Sequence, residues 1–315
     1  MIRILTAFAA LVAAGTATAA ELDCSQVRII VPYSAGGATD VVTRLAADGL
    51  SRRLDMNVIV EPRPGAGGNL GTREVANAEP DGCTLLVNGN QMATMTVSYA
   101  NLGYDPFEDL VAIGNVGLSP TFIVSSVPEL NSLEDLIEMA KKEPVGYGTP
   151  GLGLLQHLAM EEIAHRTGAK LNHIPYSGGS QALADLTTGR LQVGSFAAGS
   201  ALPPVRDGRL KLLAAAQEKR SSFAPDVPSA AEQGVENLNA GIYFMLFAPG
   251  GTPDETVSFI SEALAEVVAD PALAERYQEI GFEPIVTTPE ESAAIMKRTA
   301  EQWNPVIERL GIKFD

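Results

Sequence analysis

The residues with the most chemical potential in this chain are small ones. Pro32-Tyr33-Ser34-Ala35-Gly36-Gly37 has a near twin in Pro175-Tyr176-Ser177-Gly178-Gly179, and each follows an apolar run. Glycines let backbone amides approach a ligand closely, and a helix starting behind the loop adds free N–H groups with a partial positive charge. Stretches 34–40, 148–153, 177–181 and 197–201 all have this form, and none contains Lys or Arg. An anion held there would meet amide and hydroxyl dipoles instead of ion pairs. Such turns can also simply close short strand-to-helix connections. Four in one chain favour a binding role.

Other chemistry fits less well. There is no G-x-x-x-x-G-K-[ST] phosphate loop, and Leu70 stands where a dinucleotide fingerprint begun at Gly65 needs glycine. His157, Glu161 and His165 share one helical face, but this is not the H-E-x-x-H zinc pattern, and no metal is expected. A secreted hydrolase would need a nucleophile elbow or a complete base and metal set, and none is found. No cofactor is implied.

The elements that must position these loops alternate. Residues 27–33 form a β-branched run suited to a strand buried on both faces, followed by the first loop and a helical pattern through Val41, Val42, Leu45, Ala46 and Leu50. Thr39 or Asp40 can cap that helix. Strands at 57–60 and 84–87 flank another helix, which gives a parallel α/β unit. The pattern restarts after 122–124, with strands at 145–147, 171–176, 192–196 and 210–215. A strand at 242–247 precedes a mostly helical end. Two α/β units suggest two lobes, and open parallel sheets bind ligands outside the carboxyl ends of their strands. Both PYS loops fall there.

Composition bounds the setting. The chain has 315 residues, 46% of them hydrophobic, enough for one large or two medium domains. Met1-Ile2-Arg3, an apolar run from Ile4 to Ala14 and small residues after it read as a secretory signal peptide over 1–20, cleaved near Ala19-Ala20. No later segment is long and apolar enough for an anchor. Loss of Arg3 takes the formal charge from −16 to −17, which disfavours nucleic acid and anionic lipid as partners. Screening beyond roughly 8–10 Å leaves local amide donors free to hold an anion. Cys24 and Cys83 are the two cysteines; export favours one disulfide, with two separately buried thiols as the alternative.

The motifs as a set resemble a known family. The run 31–40 with Arg44, Arg63-Pro64-Gly65-Ala66-Gly67-Gly68-Asn69-Leu70-Gly71 and Pro80-Asp81-Gly82-Cys83-Thr84-Leu85-Leu86 are similar to motifs of the substrate-binding proteins of tripartite tricarboxylate transporters, also called Bug receptors. So are Tyr147-Gly148-Thr149-Pro150-Gly151-Leu152-Gly153 with His157, His173-Ile174-Pro175-Tyr176-Ser177-Gly178-Gly179, and Phe247-Ala248-Pro249-Gly250-Gly251-Thr252-Pro253. The likeness spans the mature chain in order.

The resemblance implies an α/β, type II-like periplasmic binding protein with two lobes, each a mainly parallel sheet flanked by helices, and no enzymatic activity. Lobe 1 would comprise 21–123 and 243–315, and lobe 2 would comprise 124–242. The ligand would be a small organic anion, a di-, tricarboxylate or aromatic carboxylate, passed by a monomer to the permease subunits of a tripartite transporter. Docking to a sensor kinase is the alternative. Carried over by position, contacts fall on Tyr33, Ala35, Gly36 and Thr39, then on Thr149, Gly151, Gly153, Tyr176, Ser177 and Gly178. His157 in the first turn behind its loop, Ala198 in the fourth loop and Asp40 join the candidates. Asn90 is added because the amide-rich stretch 88–91 should border the cleft. Cys83 stands where the family usually has an aromatic residue, which supports a bridge peculiar to this chain.

Overall fold

The computed structural model describes residues 22–176 and 178–314. The expected signal peptide and Ser177 lie outside the described residues. The chain runs β1 (Gln26–Val31), α1 (Ala38–Leu54), β2 (Asn57–Pro62), α2 (Asn69–Ala76), β3 (Thr84–Gly89), a short α3 (Met95–Ser98) and β4 (Leu110–Ser119). Next come β5 (Thr121–Ser125), α4 (Leu133–Lys142), β6 (Val145–Thr149), α5 (Leu155–Thr167), β7 (Leu171–Pro175), α6 (Gly179–Thr187), β8 (Val193–Ala197), α7 (Ala198–Arg206) and β9 (Lys211–Ala215). It ends with β10 (Ile242–Pro249), α8 (Asp254–Val268), α9 (Pro271–Glu279) and α10 (Pro289–Leu310).

Two five-stranded sheets form, ordered β2-β1-β3-β10-β4 and β7-β6-β8-β5-β9. In each, one strand opposes the rest: β10 pairs antiparallel with β3 and β4, and β5 with β8 and β9. The sheets are therefore mixed, and the reason lies in the crossings. β4 ends at the same edge as β1 and β3, and only Pro120 separates it from β5. A strand entering the second sheet from that edge must run away from it, against β6 and β8. β10 makes the reverse crossing.

Helices cover both faces of each sheet. Neighbouring residues of β1 enter different cores, Ile29 against α1, α8 and α9, and Ile30 against α2 and the start of α10. This is the double burial that a β-branched run predicts. The second sheet packs on α4 and α5 on one face and on α6 and α7 on the other. α10 joins both lobes, since Met296 packs with the first sheet's core while Trp303, Val306 and Ile307 are buried in the second's. Its carboxyl-terminal half therefore does not belong to lobe 1 alone.

Cys24 and Cys83 form a disulfide with Cα atoms 6.2 Å apart. β1 and β3 are parallel neighbours, so the residues leading into them share one edge, and Arg28 N–H donates to Cys83 O at 2.8 Å.

Candidate ligand-binding cleft

The interlobe cleft begins with how α1 starts. Its N-cap is Gly37, with no side-chain hydrogen bond, so Thr39 and Asp40 lie within the first turn and neither caps it. Asp40 instead reaches back to accept from Gly36 N at 2.9 Å, and Arg44 grips the same carboxylate at 2.9 and 3.0 Å. Burial alone would raise this carboxyl's pKa, but Arg44 and the Gly36 amide outweigh it and hold the group below its usual range. Asp40 thus shapes the loop, with Gly36 at φ +79° making the turn. The Gly36 amide is consequently not free for a ligand. The amides of Ala38, Thr39 and Asp40 have no acceptor among the described residues.

The second lobe repeats this arrangement. α5 starts behind Leu154 without a side-chain cap, leaving the Leu155 and Gln156 amides open, while His157 N returns to Leu154 O. α2, α6, α7 and α8 also lack a side-chain cap, whereas α4, α9 and α10 are capped by Ser132, Asp270 and Thr288. The uncapped ends of α1 and α5 meet. Tyr33 and Thr39 from one lobe and Leu154, Leu155 and Gln156 from the other line one cavity of ≈ 190 Å³, with Gln91, Ile242 and Phe244 completing it. No cationic side chain lines this cavity among the described residues.

Several candidate residues support the walls instead. Gly153 N donates to His157 Nδ1 at 3.2 Å, so neither group faces the cavity. His157 lies against His173 with ring centroids 4.1 Å apart, and Tyr147 lies beside both rings, 5.1 Å from His173 and 6.5 Å from His157. Burial first, then His173, lowers the His157 pKa to about 3, and burial lowers that of His173 as well. A neutral Nδ1 acceptor is what the Gly153 contact requires. Thr149 Oγ1 donates to Gly151 O and meets His173 Nε2 at 2.9 Å. These contacts brace the 148–153 loop from within.

The fourth loop and the amide-rich strand end are also structural. Ala198 N donates to Pro120 O at 2.8 Å, which ties α7 to the crossing between lobes. Asn90 is buried and holds Thr299 Oγ1 at 3.0 Å and Tyr243 N at 3.1 Å. Tyr176 donates to Asp185 at 3.0 Å and does not line the cavity. Ala35, Gly151 and Gly178 sit on the flanking loops without lining it.

Tyr33 is positioned by its partners. Gly89 N donates to Asn88 Oδ1, which fixes the Asn88 amide, and Tyr33 O–H donates to the same oxygen at 3.0 Å. Gln91 Nε2 faces the Tyr33 oxygen, leaving Gln91 Oε1 buried with no partner. Gln91 and Gln156 were not among the sequence candidates. Gln91 stands in the amide-rich stretch that drew attention to Asn90, and Gln156 directly precedes His157. Nothing in the sequence distinguishes Leu154 or Phe244 from core residues.

Two sheets joined by two crossings, with a cleft at their strand ends, define a two-lobed periplasmic binding protein. A family model described as "Tripartite tricarboxylate transporter family receptor" matches residues 42–312. The protein BugT of Bordetella pertussis is 32% identical, over 91% of this chain and 90% of its own. A TctC solute binding protein from Polaromonas superposes with a TM-score of 0.81 at 28% identity, covering 90% of this chain and 98% of that one. An R. palustris protein solved with adipate superposes with a TM-score of 0.77, also at 28% identity, covering 91% and 98%. The chain belongs to the tripartite tricarboxylate transporter receptor family, whose members are periplasmic substrate-binding proteins and not enzymes. Among the described residues no cluster of His, Cys, Asp or Glu could hold a metal.

Proposed function

We propose that this protein captures a small organic carboxylate between its lobes and delivers it to the permease subunits of a tripartite transporter. The observation that carries this reading is the cavity shared by the uncapped starts of α1 and α5. A carboxylate there accepts from the Ala38 and Thr39 amides on one side and the Leu155 and Gln156 amides on the other. Helix N-termini favour negative charge, and closure hides the pair from water. Tyr33 and the Thr39 hydroxyl complete the first jaw, while the loops at Ala35, Gly36, Gly151, Gly153 and Gly178 shape both. Adipate in a structural neighbour is a ligand of this chemistry.

The same reading takes the protein as exported. The signal peptide is removed near Ala19-Ala20, and the mature protein acts as a monomer in the periplasm. Lobe 1 takes 21–123 and 243–315 and lobe 2 takes 124–242, with α10 shared between them. Isothermal titration against di-, tri- and aromatic carboxylates, beside neutral sugars and amino acids, tests the function. Micromolar or tighter binding of at least one carboxylate is the expected result. Binding confined to the neutral solutes would sink the reading.

A further inference from the structure

A second cavity of ≈ 290 Å³ adjoins the first, and Gln91 and Leu154 are walls of both. Its other walls are largely apolar: Met95 and Tyr99 from the first lobe, Leu152 from the second, and Phe314 from the chain's end. Leu152 is 47% exposed. Phe314 is held in place from both sides. Its N–H donates to Ser98 O at 2.7 Å, and its ring lies 5.3 Å from that of Tyr99. Gly153, at φ +74°, lies against the same ring, where an added Cβ would come within 2.8 Å.

At ≈ 190 Å³ the first cavity is smaller than most small-molecule sites, which start near about 300 Å³. A short acid fills it, and a larger ligand must extend beyond it. The second cavity offers mainly ring, thioether and aliphatic surface.

We propose that the two cavities form one site for an amphipathic carboxylate, with the carboxyl group in the first chamber and an apolar or aromatic body in the second. This rests on the carboxylate reading above and narrows its ligand class. The chamber wall formed by Phe314 makes that side chain a determinant of specificity. Leu152 and Leu154 face the ligand body across the cleft, so an apolar body also adds contact between the lobes when they close.

Titration calorimetry with succinate, butyrate and 4-phenylbutyrate tests the proposal on the wild type and on Met95→Trp, whose indole fills the second chamber. The expected wild-type result is 4-phenylbutyrate binding at least tenfold more tightly than butyrate. Met95→Trp should remove that advantage while leaving succinate and butyrate within twofold. Phe314→Ala provides a second variant should the indole disturb folding, with the same selective loss expected. Short acids binding as well as the aryl acid, or both variants weakening all three alike, overturn the inference and leave the carboxylate reading intact. Binding of none of the three, nor of any acid in the wider panel, overturns both.

Discussion

His157 shows how a site residue can act without touching a ligand. Its Nδ1 accepts from Gly153, its side chain is 5% exposed, and its charged neighbour is Glu161 at 3.8 Å, with His173 beside it. The unfolded chain binds a proton below about pH 6.5, whereas the folded ring resists it down to about pH 3. Stability therefore falls as pH drops through that window, by about 1.4 kcal/mol per unit for this group. Protonation would also turn the acceptor into a donor and break the loop contact. Thermal unfolding at pH 7.5 and 5 should show a smaller fall for His157→Gln than for wild type; equal falls would remove the ring from the account. Gln91 makes a different prediction. Its unpartnered Oε1 costs stability in the free protein, so Gln91→Leu should raise the unfolding free energy by about 1 kcal/mol and weaken a ligand that donates a hydrogen bond there. Titration beside differential scanning calorimetry reads both, and a destabilised variant contradicts the assignment.

At the scale of elements, the question is whether backbone amides hold the ligand. Proline at the first position of a helix deletes one N–H without disturbing the helix, and Gly37 already has the extended ψ of 168° that a following proline prefers. Ala38→Pro should leave the melting temperature unchanged or higher while lowering carboxylate affinity about tenfold, the worth of one hydrogen bond to a charged acceptor. Unaltered affinity would mean that the start of α1 does not grip the anion. The disulfide closes a span of 59 residues, worth about 4 kcal/mol in the chain-entropy account. Cys24→Ser with Cys83→Ser should lower the midpoint by about 5–15 °C, and a loss under about 2 °C would show the bridge to be dispensable. Elements were the most legible part of the sequence. The β-branched run of β1 and the periodicity of α8 marked themselves, because burial on one or two faces leaves a repeating pattern. α7 gave no such signal, since Pro203 and Pro204 lie inside it. The glycine loops were readable as amide donors, but which amides remain free was not. That depends on Asp40 folding back, His157 reaching Gly153 and Pro120 reaching Ala198, contacts fixed only by tertiary packing.

For the whole molecule, the two sheets repeat one strand order, and each receives its odd strand from a crossing. A formal charge of −16 sits on a protein whose candidate cavity has no lysine or arginine among its described walls. Anion capture by local dipoles reconciles the two, because dipole fields act within the first turn of a helix and the surface charge is screened beyond it. α10 is one element through which the lobes share buried surface, with Met296 in one core and Trp303 in the other.

The placement of β10 also dictates an order of assembly. β4 joins the first sheet only through β10, whose residues follow the entire second lobe in sequence. A chain emerging amino-terminus first can complete β5 to β9 while β1 to β4 still lack the strand that unites them. The first sheet is therefore completed after the second, on contacts between segments separated by well over a hundred residues, which is slow by topology alone. Pulse-labelling hydrogen exchange during refolding should protect the amides of β6 and β8 before those of β3 and β4. Simultaneous protection of all four would show that the lobes fold as one unit. The late-arriving strand is a delay built into the folding of the chain.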